Sequence, residues 1–269
     1  MIAATGSDGV LDLRAAANSL VGQVGALPEL SWDDRLAAQR TWRGRMVNEH
    51  ISARVFGTLL GQAMAARLSA ERCAQLADFA SEELMHARQC ASVVLALGGD
   101  PVAPWPELPR VPVHAEVPPL EGLLRNVLSV CCMAETVAVA LIRAETLEIG
   151  PVGLRRLLDQ ILADESGHAR WGWSLLEELK PLSADLRASL DTYLPVALAH
   201  LWDHELACLP THDGLGAQAA EVGVCSGMAA RALLRDTVEQ VIVPGLEAHG
   251  FAAGAAWQRV QARTESCAS

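Results

Sequence analysis

Residues 135–168 read ETVAVALIRAETLEIGPVGLRRLLDQILADESGH. An Ala- and Leu-rich run stops at Gly150-Pro151, and a second starts straight after it. Glycine and proline end one helix, and proline is tolerated where the next begins. The stretch therefore predicts two antiparallel helices, over about 120–149 and 151–180. Each has an apolar face with an acidic interruption. Glu135 lies 15 residues before Gly150 and Glu165 lies 15 after it, so the two meet at one height across the turn. His168 follows Glu165 by three positions, on the same helix face.

The same arrangement is written upstream. Helical patterns run over about 32–68 and 69–97, with Ser31 and Ser69 placed as N-caps, and the second stops at Gly98-Gly99-Asp100-Pro101. The inward stripe of the first reads Trp42, Met46, Glu49, Ala53, Phe56, Leu60. That of the second reads Leu76, Phe79, Glu83, His86, Cys90, Val93, Leu97. Glu49 lies 19 residues before Leu68 and Glu83 lies 15 after it, a mismatch of about one turn. Residues 101–119 are rich in proline and cannot be helix interior. They serve as a crossover between two helical hairpins. The fold class is all-α, a four-helix bundle with a long crossover between helices two and three. Further helices are expected over about 183–208, 227–248 and 251–264. The domain reading is an N-terminal segment 1–31, a bundle 32–180 and a helical extension 181–269 packed on or beside it.

Four carboxylates inside a bundle need a positive partner, since each unpaired buried charge costs several kcal/mol. Two divalent metals held by Glu49, Glu83, His86, Glu135, Glu165 and His168 supply it. In that reading each Glu-x-x-His pair serves one metal, while Glu49 and Glu135 bridge or cap. A lone Glu-x-x-His is ordinary surface chemistry. Two copies on apolar faces, with a lone glutamate on each of the other helices, are not. Asp164 is placed to fix the outer nitrogen of His86, and Glu82 that of His168. The alternative for both acids is a solvated position.

Glu49, then Glu83-Leu84-Met85-His86, then Glu135, then Asp164-Glu165-Ser166-Gly167-His168 resembles the ferritin-like di-iron carboxylate superfamily over about residues 32–180. The resemblance implies the six residues as ligands to two irons, with manganese or a mixed pair in some members. It implies an oxidase or oxygenase activating O2 on a small, apolar organic substrate. Electrons then come from an external donor protein, because no flavin, Fe–S or nicotinamide motif is present. Peroxide reduction or disproportionation, and a non-catalytic metal-handling role, are the alternatives. Ferritin proper lacks the second Glu-x-x-His. Rubrerythrins carry another Glu where this chain has Ala138. The ribonucleotide reductase small subunit keeps a tyrosine where Cys90 stands. N-oxygenases with a seventh ligand have His where Ile161 stands. The intervals of 52 residues from Glu83 to Glu135 and 30 from Glu135 to Glu165 are similar to those of aldehyde-deformylating oxygenases, which are expected to lack the C-terminal extension.

Composition sets the outer limits. The chain has 269 residues, 51% of them apolar, a net charge of −11 and a mean hydropathy of +0.22. The acidity disfavours a nucleic-acid partner. No uncharged apolar run reaches the roughly 20 residues of a membrane span. No secretory signal is read at the N-terminus, so a cytoplasmic location and no membrane partner are expected, with self-association open. The seven cysteines form no C-x-x-C pair. In the extension, His200, His204 and Glu205 form a second candidate cluster. Trp42 and Trp171, near the ligands, read chiefly as packing residues.

Overall fold

The computed structural model describes residues 9–107, 110–210 and 216–268. Four long helical segments dominate: α2 (Trp32–Ala65), α3 (Ala70–Ala96), the continuous run formed by α4 (Pro119–Val127), a π-helical turn (Leu128–Ala134) and α5 (Glu135–Glu148), and α6 (Val152–Glu178). Before them stands α1 (Arg14–Val24). After them come α7 (Ala184–Cys208), α8 (Ala217–Ala220), α9 (Gly227–Thr237), a second π-helical turn (Val238–Ile242), α10 (Val243–Ala248) and α11 (Ala253–Ala268). Strands among the described residues are limited to β1 (Val10–Asp12) and β2 (Val102–Pro104), paired antiparallel with Leu11 opposite Ala103.

The caps explain where the helices begin. Ser31 Oγ accepts from the Asp34 N–H, and Ser69 Oγ from the Arg72 N–H, satisfying donors that the first helical turn leaves free. α2 and α3 form one antiparallel hairpin, α5 and α6 the other. The Pro-rich crossover lies along the bundle. Its Pro112 carbonyl accepts from the side-chain amides of Gln62 and Asn126, so a segment without helical hydrogen bonds is still tied to both hairpins.

Sequence periodicity left two features unread. The first is β1 with α1, which the sequence reading treats only as an N-terminal segment. Leu11, Ala17 and Val24 are buried in one apolar cluster with Val93, Leu97, Leu154 and Leu158, and α1 packs on α3 and α6. The second is the pair of π turns. One precedes Pro244, which has no N–H to give to a carbonyl four residues back. The Val243 N–H instead reaches Val238, five back, and the widened turn absorbs the loss. The extension beyond 181 shares the bundle's core. Leu194, Leu198 and Leu201 of α7 are buried in one cluster with Leu124, Leu128 and Cys131.

By length and composition, Pro119–Glu148 is apolar enough to cross a membrane, with a mean hydropathy of 1.9 in its most apolar window. In this fold the segment is a bundle helix, packed on α2, α6, α7 and α9.

Candidate metal centre

Each of the four long helical segments brings its acid to the middle of the bundle. Glu83 and His86 of α3 are buried, as are Glu165 and His168 of α6, with 0–3% of each residue exposed. Glu135 is buried too, while Glu49 retains more exposure, its side chain 15% accessible. The six residues form two overlapping groups. Glu49, Glu83, His86 and Glu165 bring one ligand-type atom each within 4.8 Å of one another, and so do Glu83, Glu135, Glu165 and His168. Glu83 and Glu165 belong to both groups; Glu49 and Glu135 belong to one each.

Both imidazoles point the same way. His86 Nδ1 faces Glu165 Oε1 at 3.5 Å, Glu49 Oε2 at 3.6 Å and Glu83 Oε2 at 4.0 Å. His168 Nδ1 faces Glu165 Oε2 at 3.0 Å, Glu83 Oε1 at 3.4 Å and Glu135 Oε2 at 3.9 Å. The outer nitrogens are held from behind. His86 Nε2 lies 3.0 Å from Asp164 Oδ2, and His168 Nε2 lies 2.9 Å from Glu82 Oε2. Asp164 also accepts from the Gln160 amide. An acid on Nε2 keeps that nitrogen protonated and leaves Nδ1 as the inward donor atom.

The electrostatics describe a site that holds protons where a cation belongs. Burial works against charge on His86, yet the Glu165 and Glu49 carboxylates outweigh it and hold its pKa up at about 11. His168 is likewise raised well above its ordinary value, against burial, by Glu135, Glu165 and Glu83. Burial, then the neighbouring Glu165 charge, pushes Glu83 and Glu135 far above the usual carboxylate range. Burial also opposes ionisation of Glu165, but His168 and His86 pull it below that range. Glu83 Oε2 and His86 Nδ1 remain buried without a hydrogen-bond partner. Buried polar atoms are rarely left so. Two orphaned donor atoms converging among carboxylates fit divalent metals, and a set of oxygens plus two imidazoles suits iron or manganese.

The approach of Glu135 depends on the π turn before it. The Glu135 N–H bonds to Val130, five residues back. Ser129 Oγ donates to the Arg125 carbonyl and Thr136 Oγ1 to the Cys132 carbonyl, at either end of the widened turn. Across from it stands Gly172 of α6. A Cβ there would lie 2.4 Å from Cys131 Cβ, so only glycine admits the turn at this distance. The signal was present in the sequence as a lone glycine between Trp171 and Trp173, mid-helix. Trp173 Nε1 donates to Thr136 Oγ1 beside Glu135, and its ring meets His249 of the extension at 5.5 Å.

Phe56 and Phe79 pack on the His168 ring at 4.8 and 4.4 Å, and Phe79 contacts Trp171 at 6.4 Å. Trp42 is fully buried and donates to the Val222 carbonyl, tying α2 to the extension. The second candidate cluster does not close. His200 and His204 stack at 6.0 Å on an exposed face and His204 Nε2 lies 3.9 Å from Cys208 Sγ, outside both metal-type groups. Glu205 is only pushed up to about 7 by burial.

No protein-family model and no curated protein matches the chain. Among solved structures it is similar to a Synechococcus protein described as having aldehyde deformylating oxidase activity. The TM-score is 0.58 at 20% identity, over 87% of this chain and 98% of that one. The fold is an all-α ferritin-like bundle, and it buries a cluster of glutamates and histidines suited to metal. A match over 87% of the chain reaches past residue 180. The expectation that the extension stands outside the likeness is therefore corrected. Helices α7, α9, α10 and α11 share the bundle's apolar core, and the match takes in at least part of the extension.

Proposed function

We propose that this chain is a di-iron oxidoreductase that uses O2 to oxidise or oxygenate a small, apolar organic substrate. The observation that carries the reading is the pair of overlapping four-residue groups with both Nδ1 atoms turned inward. Glu49, Glu83, His86 and Glu165 would hold one metal, and Glu83, Glu135, Glu165 and His168 the other. Glu83 and Glu165 fall in both groups and would be shared, and Glu49 and Glu135 would cap. Bound iron supplies the redox chemistry that O2 activation requires, with manganese or a mixed pair as the variant.

The protein's own part is positioning and access. Asp164 and Glu82 keep the protons of His86 and His168 on Nε2, so each ring offers a lone pair at Nδ1. Phe56, Phe79 and Trp171 exclude water on the His168 side. The carboxylates of Glu49 and Glu135 are 15% and 10% accessible against 1% and 4% for Glu83 and Glu165. O2 and substrate therefore approach along the Glu49–Glu135 edge. An external protein would deliver electrons. We place the chain in the cytoplasm with neither nucleic acid nor membrane as partner; self-association is left to experiment.

The activity described for the Synechococcus protein makes an aldehyde the first substrate class to try. Iron-loaded protein with a chemical reductant is expected to consume O2 faster when the aldehyde is present, and Glu135→Ala to abolish the increment. If a panel of aldehydes and other small apolar substrates gives no increment in protein holding two irons, the oxygenase reading fails. Loss of peroxide without substrate, in manganese-loaded protein, would replace it with peroxide chemistry.

A further inference from the structure

On α5, away from the face that carries Glu135, a cavity of about 340 Å3 lies against residues 220–233 of the extension. Leu141, Ala144, Val224, Ala230 and Leu233 give it apolar walls, and Glu145 and Glu148 supply two carboxylates. None of the described lining residues is basic. Glu145 is only 8% exposed. Its Oε1 accepts from Arg45 of α2, whose guanidinium also lies over the Trp42 ring at 4.8 Å. Its Oε2 is buried with no hydrogen-bond partner. A buried carboxylate oxygen left unmatched is costly. One arginine against two carboxylates also leaves the cavity with a net negative charge.

We propose that this cavity binds a small amphipathic amine. The apolar body lies on the alanine and leucine walls, and the ammonium donates to the Glu145 carboxylate and faces Glu148. A carboxylate head would meet two like charges. An alcohol can donate but gains no ion pair, and charge-assisted hydrogen bonds are about twice as strong as neutral ones. The site is independent of the metal centre's chemistry. Cys225 in the cavity wall provides a local reporter.

The test is calorimetric titration of the full-length, metal-loaded protein with octylamine, octanol and octanoate. Octylamine is expected to bind saturably, and the other two more weakly by about tenfold or more. It should also slow alkylation of Cys225 by iodoacetamide, read by peptide mass spectrometry, and leave the exposed Cys208 unaffected. Ala144 is exposed, so Ala144→Trp fills the rim without disturbing the core and should weaken octylamine binding by about tenfold or more. Absence of octylamine binding, equal binding of octanoate, wild-type affinity in Ala144→Trp, or binding that leaves Cys225 unprotected would each overturn the proposal. The last result would place the amine elsewhere, the metal ions included.

Discussion

The two halves of the centre are built differently. On the α3–α6 side the geometry is helical arithmetic. Glutamate and histidine three apart on regular helices reach the same level, are almost wholly buried, and are backed by Glu82 and Asp164. On the α2–α5 side each helix offers one glutamate, with more solvent around it. The approach of Glu135 is set by a π turn, by Gly172 and by the Trp173–Thr136 hydrogen bond. Local periodicity fixes one half of the centre, and tertiary contact fixes the other.

The contrast is sharpest in metal stoichiometry. Glu165→Ala removes a carboxylate common to both groups, so it should abolish binding of both metals. Glu49→Ala should leave one bound, as read by metal analysis after anaerobic Fe(II) loading and desalting. If the two variants behave alike, the shared-and-capping arrangement is wrong. Gly172→Ala tests the tertiary half directly. A Cβ 2.4 Å from Cys131 Cβ must push the π turn away. Such overpacking should cost about 1–3 kcal/mol in denaturant unfolding and weaken the metal held by Glu135 and His168 more than the other. Asp164→Asn and Glu82→Gln loosen the backing acids, and each should lower metal affinity by about 10- to 100-fold. The more buried Asp164 should have the greater effect.

A smaller effect is expected with pH. In the metal-free chain His86 is held up at about 11 from an ordinary 6.5. The folded state then keeps a proton that the unfolded chain releases above 6.5. This stabilisation is complete below about 6.5 and gone above about 11, so the metal-free melting temperature should fall as pH rises through that window. Metal-loaded protein should lack this fall, because metal uptake displaces the proton. An unchanged profile on loading would mean that His86 is not a ligand. Least of all, Gly167→Ala meets nothing within 4 Å on its helix and should stabilise by about 0.5–1 kcal/mol. It is the control for Gly172→Ala.

The same division governs what the sequence could tell. The four long segments, the caps at Ser31 and Ser69 and the crossover are local signals, and their positions lie close to those read from the residues. The level at which six ligand-type residues meet was legible too, because antiparallel helices convert distance from a turn into height. The sharing of Glu83 and Glu165 was not legible. Spacing places a residue on a face but does not say which of two neighbouring residue groups its oxygens join. The π turn showed itself only indirectly, as Gly172 on the helix facing it, and α1 went unread because its burial comes from α3 and α6. The His200–His204 pair shows the converse. Helical spacing lined the rings up, but among the described residues they join no carboxylates in a metal-type group.

Two metals are expected between the four glutamates and two histidines. The most direct measurement is the metal content of the full-length protein after anaerobic Fe(II) loading and desalting, by mass spectrometry against protein concentration. Two irons per chain, falling to none in Glu165→Ala, is the predicted result. A wild-type chain that retains no iron, or retains it equally in Glu165→Ala, would contradict the account.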